Sequence, residues 1–295
     1  MPSLKEVRTR IESVKSTEQI TSAMKMVSAS KLRKAQSAIQ DLQPYAEKME
    51  TLIHHVFQTS EPHINTLFNE QRPPEKILLI AIASNRGLCG NFNTNIGKMV
   101  IQHLAENYKQ QYSQGNVEIF TIGKKLFEYL DIRNIKVTRR NDDLVEKLNP
   151  HLVETIVDEI IHDFQSGKYD RIELVYHHFK NAAVYLQTTC QFLPLEQQSV
   201  SSHLKPQNEI QYIFKPSIEE VLKTLIPKWL NLKLYEVLAN SAASEHGARM
   251  ISMHKATDNA KELLRNLRLS YNKARQTSIT NEIIEIIGGA ESFNK

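Results

Sequence analysis

The residues best placed to do chemistry are the ten of SNRGLCGNFN, Ser84 to Asn93. They follow an apolar run and precede a helical pattern, the position where a phosphate loop sits. The stretch nonetheless carries neither the GxGxxG fingerprint nor GxxxxGK[ST], and Gly87 and Gly90 can serve a turn and close strand–helix packing alone. Eleven histidines invite a metal hypothesis. His54-His55 and His177-His178 are adjacent pairs, and neighbours on a helix or strand point in different directions. There is no HExxH and no Cys/His cluster, so packing and surface roles are expected for them. Cys89 and Cys190, the only two cysteines, form neither a disulfide framework nor a zinc pattern and suit a reducing compartment. No Ser/His/Asp or Cys/His signature is visible. The sequence therefore predicts no catalytic residue, no metal ligand and no cofactor, and it points to a mechanical or scaffolding part.

Charge supplies the second clue. The net charge is only +4, but its distribution is uneven. Between Glu18 and Asp41 there is no acid, while Lys25, Lys31, Arg33 and Lys34 are basic. Between Glu262 and Glu282 there is again no acid, while Arg265, Arg268, Lys273 and Arg275 are basic. Two such stretches suit an acidic partner surface. A nucleic acid would want aromatic side chains beside the charge, and Tyr271 is the one aromatic near the second stretch. An Asp- and Glu-rich protein surface is the better match.

The elements that carry these charges are long helices. From Lys228 to Gly288 no proline occurs, and Gly247 is the one glycine before the end. Some sixty helical residues would make a rod of roughly 90 Å, which needs a partner or a cavity. At the other end, Leu4, Val7, Ile11 and Val14 alternate three and four apart, the seam of a coiled coil. The apolar stripe then shifts to Ile20, Met24 and Val27 and returns at Leu32, Ala35, Ile39 and Leu42, a slip that changes the local winding. Pro44 is expected to kink the helix or start a new one, with the pattern running on to Gln58. In the C-terminal arm, Leu232, Tyr235, Ala239, Ala242 and His246 keep the same spacing, and Met250 to Ala274 continue it after a stutter. Many seam positions are Ala, Ser or Thr, which lets two helix axes approach closely. The arms are expected to pair antiparallel. Ile279, Ile283, Ile284, Ile286 and Ile287 then form a tail suited to an apolar sleeve.

Between the arms, KILLIAIAS (Lys76 to Ser84) reads as a buried parallel strand. Val117–Gly123 reads as a second strand, Lys125–Leu130 as a short helix, and Ile135–Thr138 as a third strand. Asn149-Pro150 should cap a helix through Phe164. Arg171–Phe179 and Ala182–Leu193 read as a hairpin turning at Lys180-Asn181. Ile210–Phe214 is expected as a last strand, and Pro216 and Ser217 open the C-terminal run. The expected fold class is α/β: a long antiparallel two-helix coiled coil of the two arms with a central doubly wound, Rossmann-like, mainly parallel sheet. The expected division is 1–58, 76–215 and 217–290, with a loop from Ser60 to Glu75. No run of eighteen apolar residues exists, and the N-terminus resembles neither a secretory signal nor a transit peptide.

TEQITSAMKMVSASKLRKAQ (Thr17 to Gln36), SNRGLCGNFN, SEHGARM (Ser244 to Met250) and YNKARQTSITNEIIEIIGGA (Tyr271 to Ala290) closely resemble the gamma-subunit family of F-type ATP synthases. The resemblance covers both arms and the middle domain in order. It departs at Asn85, where the family usually has Asp, and at Gly247, where it usually has Ala. It implies a non-catalytic rotor shaft that couples proton-driven rotation of a membrane c-ring to ATP synthesis in a hexamer of alpha and beta subunits. It also implies contact with the epsilon subunit and a peripheral position on the cytoplasmic face of the bacterial inner membrane. Residue by residue, it implies that Met24 and the basic Lys25, Lys31, Arg33 and Lys34 face an acidic loop of beta. Arg275 and Gln276 would form a catch on another beta loop, and Ile279, Ile283, Ile286 and Ile287 would enter a hydrophobic bearing. The readings that compete with it are an α/β nucleotide- or metabolite-binding protein with a coiled-coil dimerisation arm, and a coiled-coil scaffold. A scaffold would keep one heptad phase, which the slips contradict.

Overall fold

The computed structural model describes residues 4–59, 68, 72–146, 148–195, 215 and 217–293. The chain divides into two compact units, Ala29–Ala248 and a second made of Met1–Ser28 with Arg249–Lys295. Helices α1 (Leu4–Thr59) and α7 (Ile218–Phe293) each contribute to both.

The larger unit is built on a five-stranded sheet of β1 (Ile77–Ile82), β2 (Val117–Ile122), β3 (Arg139–Asn141), β4 (Arg171–Phe179) and β5 (Tyr185–Leu193). The order is β3-β2-β1-β4-β5. All neighbours run parallel except β4 and β5, which are antiparallel. All six residues of β1 are buried because both sheet faces are covered. Ile77, Leu79 and Ala81 face Ile96, Val100 and Leu104 of α2 (Phe92–Asn107) and Leu126 and Leu130 of α4 (Lys124–Asp131). Leu78, Ile80 and Ile82 face Val157, Ile160 and Phe164 of α6 (Pro150–Gln165) and Leu222, Ile226, Leu230 and Leu234 of α7. This is the doubly wound arrangement that a continuous apolar strand calls for. Two short helices, α3 (Lys109–Ser113) and α5 (Asp143–Glu146), complete the layer connections.

Local chemistry sets the boundaries. The Asn149 side chain accepts from the His151 N–H at 3.1 Å, and Pro150 occupies the first turn of α6. Ser217 Oγ accepts from the Glu220 N–H at the start of α7. Pro44 does not begin a new helix, since α1 runs through it, and α7 likewise runs through Pro227. The residues one turn back, Gln40 and Lys223, are exposed, so water can take the carbonyls that lose a donor.

Two strand boundaries differ from the sequence expectation. The third strand is Arg139–Asn141, not Ile135–Thr138. Ile135 and Val137 pack against the α2/α4 side of the core, and the ladder begins only where Arg139 meets Phe120. Apolar character there signalled packing rather than pairing. The β4–β5 turn is five residues, not two. Asn181 Oδ1 accepts from the N–H groups of Ala183 (2.9 Å) and Val184 (2.8 Å), and this side-chain turn delays β5 until Tyr185. The expected strand Ile210–Phe214 and most of the Ser60–Glu75 loop lie outside the described residues.

In the smaller unit α1 and α7 pair antiparallel. The hydroxyls of Thr21 and Thr257 meet at 2.9 Å, while Glu18, earlier on α1, lies beside Lys261 and Leu264, later on α7. Thr21, Met253, Thr257, Ala260 and Leu264 are buried, and the small members let the axes close up.

Close approach also governs α2 and α4. A Cβ on Gly97 would lie 2.1 Å from the Tyr129 ring, whereas one on Gly87 would meet nothing within 4 Å. Gly97→Val is therefore expected to cost at least ~2 kcal/mol through overpacking. Gly87→Ala should stay within about 0.5 kcal/mol. Urea unfolding of the two variants beside the parent chain checks both.

Candidate functional site

The loop from Ser84 to Asn93 uses its polar groups on itself. Ser84 donates its N–H to Asn93 Oδ1 (3.0 Å) and its hydroxyl to the Arg86 carbonyl (2.6 Å). Asn93 Nδ2 reaches Cys89 Sγ at 3.3 Å, and Cys89 is buried. Asn85 donates to the Asp142 carbonyl (2.8 Å) and accepts from the Lys124 N–H (2.9 Å), tying the ends of three neighbouring strands together. The side chains of Ser84, Asn85 and Asn93 are thus engaged in holding the loop's shape. Gly90 supplies a positive φ of 62°, while Gly87 has open space around it.

The His177-His178 pair splits as a strand requires, while the side chains of His54 and His55 lie outside those described. His178 is exposed, and His177 is fully buried, its ring 4.4 Å from Phe92 and 4.6 Å from Tyr185. Neither ring nitrogen of His177 has a partner. Burial pushes it down to about 4 from the ordinary 6.5. A second buried group escaped the sequence reading. Glu173 accepts from Tyr108 Oη at 2.6 Å through one oxygen and lies 2.5 Å from His103 Nε2 through the other. Burial alone would raise its carboxyl, but the His103 and Tyr108 hydrogen bonds, with Arg171 nearby, hold it below the usual range. Burial and the bond to Glu173 push Tyr108 up to about 12. Each carboxylate oxygen is engaged, so the trio pins the end of α2 to β4. Among the described residues no group of three or more His, Cys, Asp or Glu could hold a metal.

The sequence-predicted contact residues are exposed or half-buried. Met24 and Lys25 are half-buried on α1, and Lys31, Arg33 and Lys34 are exposed. Arg275 and Gln276 are exposed on α7. The structure does not bring Arg275 and Gln276 to Met24 and Lys25. Thr257 pairs with Thr21, and eighteen further residues put Arg275 about 27 Å along the helix. Ile279, Ile283, Ile286 and Ile287 are 44%, 50%, 70% and 55% exposed, an apolar face with no cover among the described residues.

One feature of the smaller unit is more than the charge run suggested. Lys261, Arg265, Arg268 and Asn272 fall on one stripe of α7 and, with Leu264, Leu269 and Glu18, line a groove of about 450 Å³. Lys261 was missed because Glu262 breaks the acid-free run. On a helix Glu262 points some 100° away, so it does not interrupt the stripe. Like charges three and four residues apart repel by a few tenths of a kcal/mol per pair. Glu18 is the one acid in the lining against three cations, so the groove stays net positive.

A family model described as ATP synthase matches residues 3–293. The ATP synthase gamma chain of Flavobacterium johnsoniae is 49% identical over 296 residues, covering 100% of each chain. That of Cytophaga hutchinsonii is 44% identical over 294 residues, again with 100% of each covered. The chain belongs to the ATP synthase gamma chain family. Among solved structures, the central stalk/c-ring of Tetrahymena thermophila mitochondrial ATP synthase matches with a TM-score of 0.57 at 25% identity, covering 80% of this chain and 99% of that one. A chain of Euglena gracilis mitochondrial ATP synthase gives a TM-score of 0.66 at 19% identity, covering 98% and 94%, a likeness of fold. Family membership decides between the readings. This is the central-shaft subunit of an ATP synthase, non-catalytic by itself, in a complex that is membrane-bound. Among the described residues no helix is long and apolar enough to cross a membrane.

His177 gives this gamma chain a stability that depends on pH. The unfolded state binds the proton more readily between pH 6.5 and about 4, so stability is full above that window and is lost as pH falls through it. The loss should reach about 3 kcal/mol, and His177→Leu should flatten it. Urea melts of both chains from pH 7 to pH 4 measure the slopes; equal slopes would remove His177 as the cause.

Proposed function

We propose that the chain turns as the asymmetric shaft within a hexamer of alpha and beta subunits, with its sheet domain toward a proton-driven c-ring and in contact with epsilon. The division into an N-terminal helix (1–58), a sheet domain (76–215) and a C-terminal helix (217–290) is part of this reading. It works as a peripheral subunit on the cytoplasmic face of the bacterial inner membrane. The observation that carries the proposal is the exposed surface of the smaller unit, where a net positive stripe lies along α7 and isoleucines of the tail face outward.

Each patch has a physical task. Met24, Lys25, Lys31, Arg33 and Lys34 offer an apolar contact and positive charge to an acidic loop of beta as it passes. Arg275 and Gln276 supply planar, directional donors for a catch on a beta loop, which a point charge would not give. Ile279, Ile283, Ile286 and Ile287 form a bearing surface, since aliphatic contacts have no preferred direction and therefore resist rotation little. The Tetrahymena structure is a central stalk with its c-ring, which supports the same partner here. Because contact residues lie at separate heights on α1 and α7, one turn of the shaft can present different faces to different neighbours.

The test is the assembled complex with a bead on the shaft. Arg275→Ala combined with Gln276→Ala should lower ATP synthesis and stalling torque several-fold while leaving the chain's melting midpoint in place, since both side chains are exposed. Unchanged torque would sink the catch. Loss of torque together with loss of folding would mean the two residues act on stability instead.

A further inference from the structure

Strand β4 outruns its neighbour. β1 pairs with it only as far as Val175, yet β4 continues to Phe179. The backbone groups of His177 and Phe179 on that side are therefore left without a strand. Helix α7 supplies what the strand would have supplied. Asn240 Oδ1 accepts from the Phe179 N–H at 3.3 Å, and Ser244 Oγ donates to the His177 carbonyl at 3.4 Å. Both side chains are buried, and Asn240 Nδ2 is held by the Glu236 carbonyl at 3.0 Å, which fixes which end of the amide meets the strand.

The third contact is made by an absence of side chain. A Cβ on Gly247 would lie 2.9 Å from the carbonyl oxygen of Ala182, in the β4–β5 turn. That neighbour is backbone in a turn already closed by Asn181, so it cannot swing away as a long side chain could. Asn240, Ser244 and Gly247 are spaced four and three apart, one stripe of the helix. Ala248, next along, packs with Phe92 and Cys89.

From this geometry we infer that Asn240, Ser244 and Gly247 form a fixed seat in α7 for the β4–β5 hairpin, and that turning force passes between the sheet domain and the helix through it. The inference rests on the shaft reading above. Greasy packing alone resists sliding weakly, because apolar contacts are non-directional. Two directional hydrogen bonds and a backbone wedge resist rotation of the helix against the hairpin. The three are positioning residues. They keep the sheet domain and α7 turning as one body.

The experiment uses the full complex in sealed vesicles, with ATP hydrolysis and ATP-driven acidification measured together. Asn240→Ala with Ser244→Ala, and separately Gly247→Val, should lower acidification per ATP hydrolysed by roughly threefold or more, the span over which coupling contacts act. Hydrolysis itself should stay near the parent rate. If the ratio is unchanged in both variants, or acidification and hydrolysis fall in parallel with the melting midpoint, the seat is only packing and the inference is overturned. A parent complex that hydrolyses ATP without pumping would instead overturn the shaft reading, so the two failures separate.

Discussion

A helix of 76 residues is not stable in water on its own propensity; it needs cover for one face along much of its length. That requirement organises the molecule. Where α7 lies on the sheet it presents large aliphatics, Leu222, Ile226, Leu230 and Leu234, all completely buried. At the hairpin it changes to Ala239, Asn240, Ala243, Ser244 and Gly247, small enough for backbone to reach backbone. Opposite α1 it changes again, to Met253, Thr257 and Ala260, sizes that suit a second helix. The seam continues through Leu264, and from Ile279 on isoleucines face outward with no cover among the described residues. The size of the side chain along one stripe records the kind of neighbour at each height.

The same logic governs the loop at the end of β1. A polar loop at the end of a central strand must satisfy its own backbone and side-chain donors before it can offer any to a ligand. Here Ser84, Asn85 and Asn93 are spent on that task, and Asn85 bridges two further strand ends. Glu173 and His177 show two outcomes of burying a titratable group. Glu173 keeps its charge because three neighbours favour the anion, and His177 loses its charge because none does.

A shaft that drives neighbours in turn has to differ from side to side. Difference of that kind needs groups left unsatisfied inside the chain. Lys261, Arg265 and Arg268 repel one another along α7, and the exposed isoleucines of the tail gain nothing from water. Both are tolerated locally because pairing along the adjoining seam, through Thr257, Ala260 and Leu264, outweighs costs of tenths of a kcal/mol.

Much of the fold was legible in order along the chain. Period-two and continuous apolar runs identify β1, β2 and β4, and the three-four seams identify both arms, because burial demands those spacings whatever the partner. The family was legible from the motifs of both arms. What sequence spacing misjudged were places where a residue type has two uses. Ile135 and Val137 served packing rather than pairing, Asn181 lengthened a turn, and Pro44 sat inside a helix whose freed carbonyl faces water. The basic groove was half visible, since a linear charge run counts Glu262 against a stripe that the helix turns away from it. Only tertiary structure could show that His177 is caged without a partner and that Glu173 is caged with three. By itself the sequence determined which residues must be buried, because periodicity follows from the geometry of one element. Which buried residues meet each other depends on contacts between elements far apart in the chain, and the seat of the hairpin on Gly247 exists only there.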